Sequence, residues 1–111
     1  MHAFTHEVRA TRGATPALVQ AIEPFPGLRI YRQPSELQQP SDRYVWRLGH
    51  HSGYPIAAFE YPGDAGDAAW AISELADWTR PAEEIRAGLN GETVRDALER
   101  TPGIFLTAAP A

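Results

Sequence analysis

The stretch GHHSGYPIAAF, residues 49–59, concentrates side chains that could move a proton or hold a metal. His50 and His51 are adjacent, and Ser52 follows them. Imidazole titrates near neutral pH and is a common metal ligand. A Ser52–histidine pair would be a nucleophile with its base, and a metal would need three or four converging ligands. The remaining histidines are His2 and His6. They lie two strand periods apart, so a strand would present both on one face. Two arguments weigh against chemistry here. Neighbouring residues on a regular strand point to opposite faces, so His50 and His51 cannot serve one site. Ser52 also lacks the G-x-S-x-G pattern of a nucleophile elbow. A site built from His6, His50 and a carboxylate requires the first strand to pair beside the strand carrying His50. No catalytic residue, metal ligand or cofactor is therefore assigned, and a small enzyme or metal protein around His50 ranks third among the functional readings.

The same stretch reads well as the tip of a β-hairpin. With Ser52-Gly53 as a two-residue turn, Trp46 faces Phe59, Tyr44 faces Tyr61 and Leu48 faces Ala57 on one side of the sheet. Val45, Arg47 and His51 then oppose Glu60, Ala58 and Tyr54 on the other side. This register gathers the large aromatics on a single face, as a half-buried sheet requires. It places His50 opposite Pro55, whose missing N–H suits a sheet edge.

The surrounding elements must position that hairpin. FTHEV (4–8) alternates like a half-buried strand, and LRIYR (28–32) reads as another. TPALVQAI (15–22) predicts a short helix, with Thr15 as N-cap and Pro16 at its first position. QPSELQQPSD (33–42) is a polar loop with two prolines. The segment 64–78 carries the clearest helical period, with Asp64 as its cap. Ala65, Ala68, Ala69, Ile72, Leu75 and Ala76 form its apolar stripe, while Trp70 projects with Asp67, Glu74 and Asp77 on the opposite side. RPAEEIRAGL and ETVRDALER predict two more helices, broken at Asn90-Gly91 by left-handed backbone. IFLTAA (104–109) reads as a closing strand. The expected fold is a single α+β domain over residues 1–111: a small, mainly antiparallel sheet centred on a hairpin at about 43–61, packed by helices, the main one at about 64–78.

Composition narrows the function. A chain of 111 residues with 43% hydrophobic and 22% charged residues has the makeup of one globular domain. The absence of cysteine excludes disulfides, a thiol nucleophile and zinc–thiolate sites. No apolar run reaches membrane-spanning length and no signal-peptide pattern opens the chain, which points to the cytoplasm. All ten basic residues are arginine. Residues 1–59 hold six arginines against four acids, and residues 60–111 hold four against ten. An acidic half disfavours broad contact with phosphate backbones and suits a basic protein partner.

The segment PAEEIRAGLNGETVRDALERTPGIFL (81–106) resembles the second and third helices of a winged helix-turn-helix followed by a wing strand. The resemblance implies DNA contact through TVRDALER, with Arg95 and Arg100 as the phosphate contacts. That helix also carries Glu92, Asp96 and Glu99. Arg29, with Arg9 on the N-terminal strand and Arg47 on the outer hairpin face, and with Tyr31 and Tyr54 interleaved, could instead offer a sheet face to single-stranded nucleic acid. The leading expectation is a small acidic, non-enzymatic protein-interaction module, such as an inhibitor, an immunity protein or an accessory regulator of a phage or mobile element. Its partner-binding residues are Trp70, Glu74, Asp77 and Asp67, because an exposed tryptophan framed by polar residues is a typical anchor. A homo-oligomer is compatible with all of these readings.

Overall fold

The structure is a computed structural model that describes residues 3–8, 17–33, 43–99 and 101–105. Strands β1 (Ala3–Val8), β2 (Ala17–Phe25), β3 (Leu28–Arg32), β4 (Trp46–His50), β5 (Pro55–Phe59) and β6 (Ile104–Phe105) form one antiparallel sheet in chain order. Helices α1 (Pro62–Ile72), α2 (Ala82–Gly88) and α3 (Gly91–Leu98) are inserted between β5 and β6. This is the expected α+β arrangement. Beyond Gln33, the polar loop at 33–42 lies outside the described residues, as do Arg9, Thr15, Pro16, Arg100 and the end of IFLTAA. No helix among the described residues is long and apolar enough to cross a membrane.

The main core lies on one face of the sheet. Leu28, Ile30, Leu48, Ala57 and Phe59 meet Ala65, Ala68, Ala69 and Ile72 of α1, with Trp78, Val94 and Leu98 closing the cluster. The three alanines carry no bulk beyond Cβ, so α1 sits close to the strands, and each larger buried side chain contributes roughly 1.5–3 kcal/mol. The opposite face holds a smaller cluster of Ala21 and Tyr31, flanked by Val19.

The expected helix at 15–22 is corrected to strand: residues 17–25 are β2, paired with β1 on one side and β3 on the other. Leu18, Ala21 and Ile22 recur at helical spacing, but Val19 and Ala21 also alternate with Leu18, Gln20 and Ile22. Pairing on both sides decides between the two periods. Pro24 is accommodated because the register shifts between Ile22 and Phe25, and a bulge leaves a backbone position unpaired.

The β4–β5 register is as expected at three pairs, Trp46↔Phe59, Arg47↔Ala58 and Leu48↔Ala57, then slips by one so that Gly49, not His50, faces Pro55. The tip is a three-residue loop rather than a two-residue turn. His50 donates its backbone N–H to the Tyr54 carbonyl at 2.8 Å, and Gly53 donates to the His50 carbonyl at 2.9 Å. Only Gly53, at φ 106°, has positive φ in the loop, whereas a two-residue type I′ turn needs two such residues.

Helix α1 is also shorter than 64–78. Its N-cap is Tyr61 with Pro62 at the first position, and Asp64 lies inside the first turn. After Ile72 the chain turns. The Ser73 hydroxyl bonds back to the Trp70 carbonyl at 2.9 Å, and the Trp78 indole N–H donates to the Ile72 carbonyl at 2.8 Å. These bonds satisfy carbonyls that a continued helix would have used. The break between α2 and α3 is a side-chain cap instead of a left-handed turn. Asn90 is extended at φ −72°, and its side chain accepts the Glu92 N–H at 2.8 Å.

Gly27, at φ +86°, turns β2 into β3, and an added Cβ would overlap the Trp78 carbonyl. Gly66, inside α1, has nothing within 4 Å of such a Cβ. Chemical denaturation of Gly27→Ala is expected to show a loss of at least about 2 kcal/mol, and Gly66→Ala a gain of about 0.5–1 kcal/mol. Equal effects at the two positions would contradict the packing described.

Candidate functional site

His50 and His51 meet at one end of the molecule, where three backbone segments come together. The β4–β5 tip abuts the β2–β3 turn through the His51 N–H and the Gly27 carbonyl at 3.0 Å. Both lie against residues 78–80, the connection between α1 and α2.

His50 is buried, and its Nε2 lies 2.8 Å from the Arg80 carbonyl. Its Nδ1 receives the Ser52 backbone N–H at 3.1 Å and lies 2.7 Å from the Ser52 hydroxyl. A carbonyl only accepts and a backbone N–H only donates, so the ring is the neutral Nε2–H tautomer. Burial holds its pKa below the usual histidine value, with the neighbouring His51 acting in the same direction. His51 stacks on it with centroids 4.1 Å apart and donates from Nε2 to the Thr79 carbonyl at 3.0 Å. The two rings therefore clamp one loop. With its Nε2–H held by the Arg80 carbonyl, His50 turns the Nδ1 lone pair towards the Ser52 hydroxyl, as a general base would, but that Nδ1 also takes the Ser52 backbone N–H and burial makes the ring a weaker base.

His6 lies on the face opposite the helices, with 0% exposure and its ring 4.7 Å from that of Tyr31. Arg29 approaches its Nδ1 at 3.3 Å. The remaining nitrogen, Nε2, is buried with no hydrogen-bond partner. Burial, then Arg29, His51 and His50, lower its pKa to about 4. Arg29 also pairs with Glu23 at 3.3 Å, and the other Glu23 oxygen accepts the Gly27 N–H at 2.6 Å. This linkage of His6, Arg29, Glu23 and the turn escaped the sequence reading. The Pro26-Gly27 turn signal could have revealed it, since a hairpin there brings residues 23 and 29 together.

The condition set for a three-ligand site is unmet, because β1 pairs with β2 and not with the strand carrying His50. Among the described residues, no three histidine, aspartate or glutamate side chains converge as metal ligands.

The proposed partner-binding residues separate into two groups. Trp70 is 72% exposed on the outer side of α1, with Asp67 exposed on the same helix and Glu74 exposed in the turn that follows. Asp77 is exposed too, but its carboxylate is engaged by the Thr79 N–H and hydroxyl, which lower its pKa. Of the arginines considered for nucleic acid, Arg29 and Arg47 share one sheet face, but both are engaged within the fold. Arg29 is tied to Glu23 and His6, and Arg47 donates to the Tyr44 carbonyl at 2.6 Å on that same sheet face. Arg95 is exposed on α3, across the sheet, beside exposed Glu92, Asp96 and Glu99, and Arg100 is outside the described residues. Tyr31 lies directly opposite Arg47 on this face but is buried, and Tyr54 lies under the Arg86 guanidinium at 4.7 Å, so neither ring is left open as a stacking platform. No protein-family model, curated protein or solved structure matches the chain.

The buried histidines make stability depend on pH. Between pH 6.5 and about 4 the unfolded chain binds a proton at residue 6 that the folded chain refuses. Stability is therefore fully present above pH 6.5 and falls as the pH drops towards 4, by up to about 3 kcal/mol from this residue alone. Urea midpoints across this range are expected to decline in the wild type. The decline should be shallower in His6→Phe, which keeps a ring against Tyr31. An unchanged slope in that variant would contradict the assignment.

Proposed function

We propose that the protein is a non-enzymatic interaction module that binds a basic protein through the outer side of α1, acting as an inhibitor or accessory regulator of that partner. The observation that carries this reading is the exposure of Trp70, at 72%, in a fold that buries Trp78 at 6%. An exposed tryptophan has a large aromatic surface to bury against a partner, and tryptophan is among the residues most enriched at the energetic centre of interfaces. The charge around it supports a cationic partner. Residues 60–79 carry five acids and no base, which favours rapid encounter with a basic surface and discourages acidic ones.

The DNA reading has less support. The outward side of α3 presents Glu92, Asp96 and Glu99 around Arg95, and such a surface repels phosphates.

A photo-crosslinking amino acid at position 70, introduced in cells, is expected to capture one discrete protein of basic isoelectric point. Asp67→Arg with Glu74→Arg should abolish that adduct, and Trp70→Ala should weaken binding of the identified partner by at least about 30-fold. Adducts identical to those from the same probe at Glu92 would overturn the reading.

A further inference from the structure

At one end of the sheet β6, described over Ile104–Phe105, pairs with β5 at Ala57 and Ala58. At the other end β1 runs for six residues, Ala3–Val8, in unbroken register with β2. It contains no proline, glycine, lysine or arginine, and its register has no bulge. Each of those features would blunt an edge. Among the described residues no strand pairs with its outer side.

The sheet beside this edge is also incompletely covered. Leu18 and Ile22 of β2 are exposed, at 68% and 37%. They pair with Glu7 and Ala3 of β1. Ile22 also pairs with Ile30 of the main core, so this is the helix-bearing face of the sheet. The helices shield Ile30 but leave Leu18 largely in water.

We infer that β1 is a self-association edge: two copies of the chain join β1 to β1, antiparallel about a twofold axis, into one continuous sheet. An antiparallel edge is its own complement under such an axis, because each copy offers the same alternation of N–H and C=O in reverse order. Directly opposed residues share a face, so the symmetric registers are those that place one residue on the axis. With Thr5 there, Thr5 meets Thr5, Phe4 meets His6 and Ala3 meets Glu7. No like charges are opposed, and a cross-strand threonine pair is a favourable one. Rows on this face then read Ile22–Ala3–Glu7–Leu18 from one copy into the next, with the exposed Ile22 and Leu18 flanking the junction. Both helix layers lie on the same side, so α1 and Trp70 remain outside the junction and the proposed partner surface stays accessible.

The full chain has no cysteine, which makes a single introduced thiol a direct probe. Thr5 and its partner Gln20 are both exposed. On the axis, the two copies of residue 5 have Cα atoms about 4.5–5.5 Å apart, within disulfide reach. The two copies of residue 20, one strand further out on each side, are about 14 Å apart and out of reach. The wild-type chain is expected to sediment as a dimer at high micromolar concentration. In a glutathione redox buffer, Thr5→Cys should form disulfide-linked dimer at least about 10-fold faster than Gln20→Cys. A wild-type chain that remains monomeric at every concentration, or equal cross-linking of the two variants, overturns the inference. Crosslinking of Thr5→Cys to a different protein in preference to itself overturns it too, and assigns the edge to a foreign strand.

Discussion

The fold depends on a joint at one end of the sheet, where two β-turns are held against the backbone of residues 78–80. Two histidine rings reach the Arg80 and Thr79 carbonyls, and Gly27 approaches the Trp78 backbone more closely than any side chain allows. These carbonyls belong to a connection between helices, where the ladder bonds of a strand or helix are missing. The bond to Arg80 is partly buried and the bond to Thr79 is exposed, so each contributes about 0.5–1.5 kcal/mol. Two adjacent histidines supply donors of the right length from a hairpin tip. The adjacent histidines thus have a structural role at this joint.

The joint also determines what α1 presents to solvent. Trp78 folds back under the helix, donates its indole N–H to the Ile72 carbonyl and enters the core. Residues 79 and 80 are bonded by the histidines, α1 ends at Ile72, and its alanine stripe packs on the sheet. Trp70 then has no inward direction available. Its exposure follows from the geometry of the helix that carries it, and the acids nearby add charge to the same surface. The two tryptophans thus have opposite roles, one as part of the joint and one as the exposed aromatic of the outer surface.

Much of this was legible from residue types. LRIYR, the alanine stripe, the exposure of Trp70 and three of the hairpin pairs all follow from local periodicity, because each element buries one face only. Two kinds of feature were not legible. Residues 17–25 satisfy helical and strand periods alike, and only pairing with β1 and β3 selects the strand. The slip at Gly49 and the three-residue tip depend on a bulge and on bonds from His50 to Tyr54, which alternation alone does not encode. The role of the histidines was illegible for a related reason. Their acceptors are main-chain carbonyls some thirty residues away, and a carbonyl carries no residue type to recognise.

Histidine nitrogen NMR tests the central claim that the histidines are structural donors locked in place. At neutral pH, long-range nitrogen–proton correlation spectra are predicted to show the proton of both His50 and His51 on Nε2, with His50 as the neutral tautomer. The His50 Nε2 proton should persist long enough to give a cross-hydrogen-bond coupling to the Arg80 carbonyl. Rings that average between tautomers, or a His50 that titrates at the ordinary value of 6.5, would contradict the account and return GHHSGYPIAAF to the class of reactive sites.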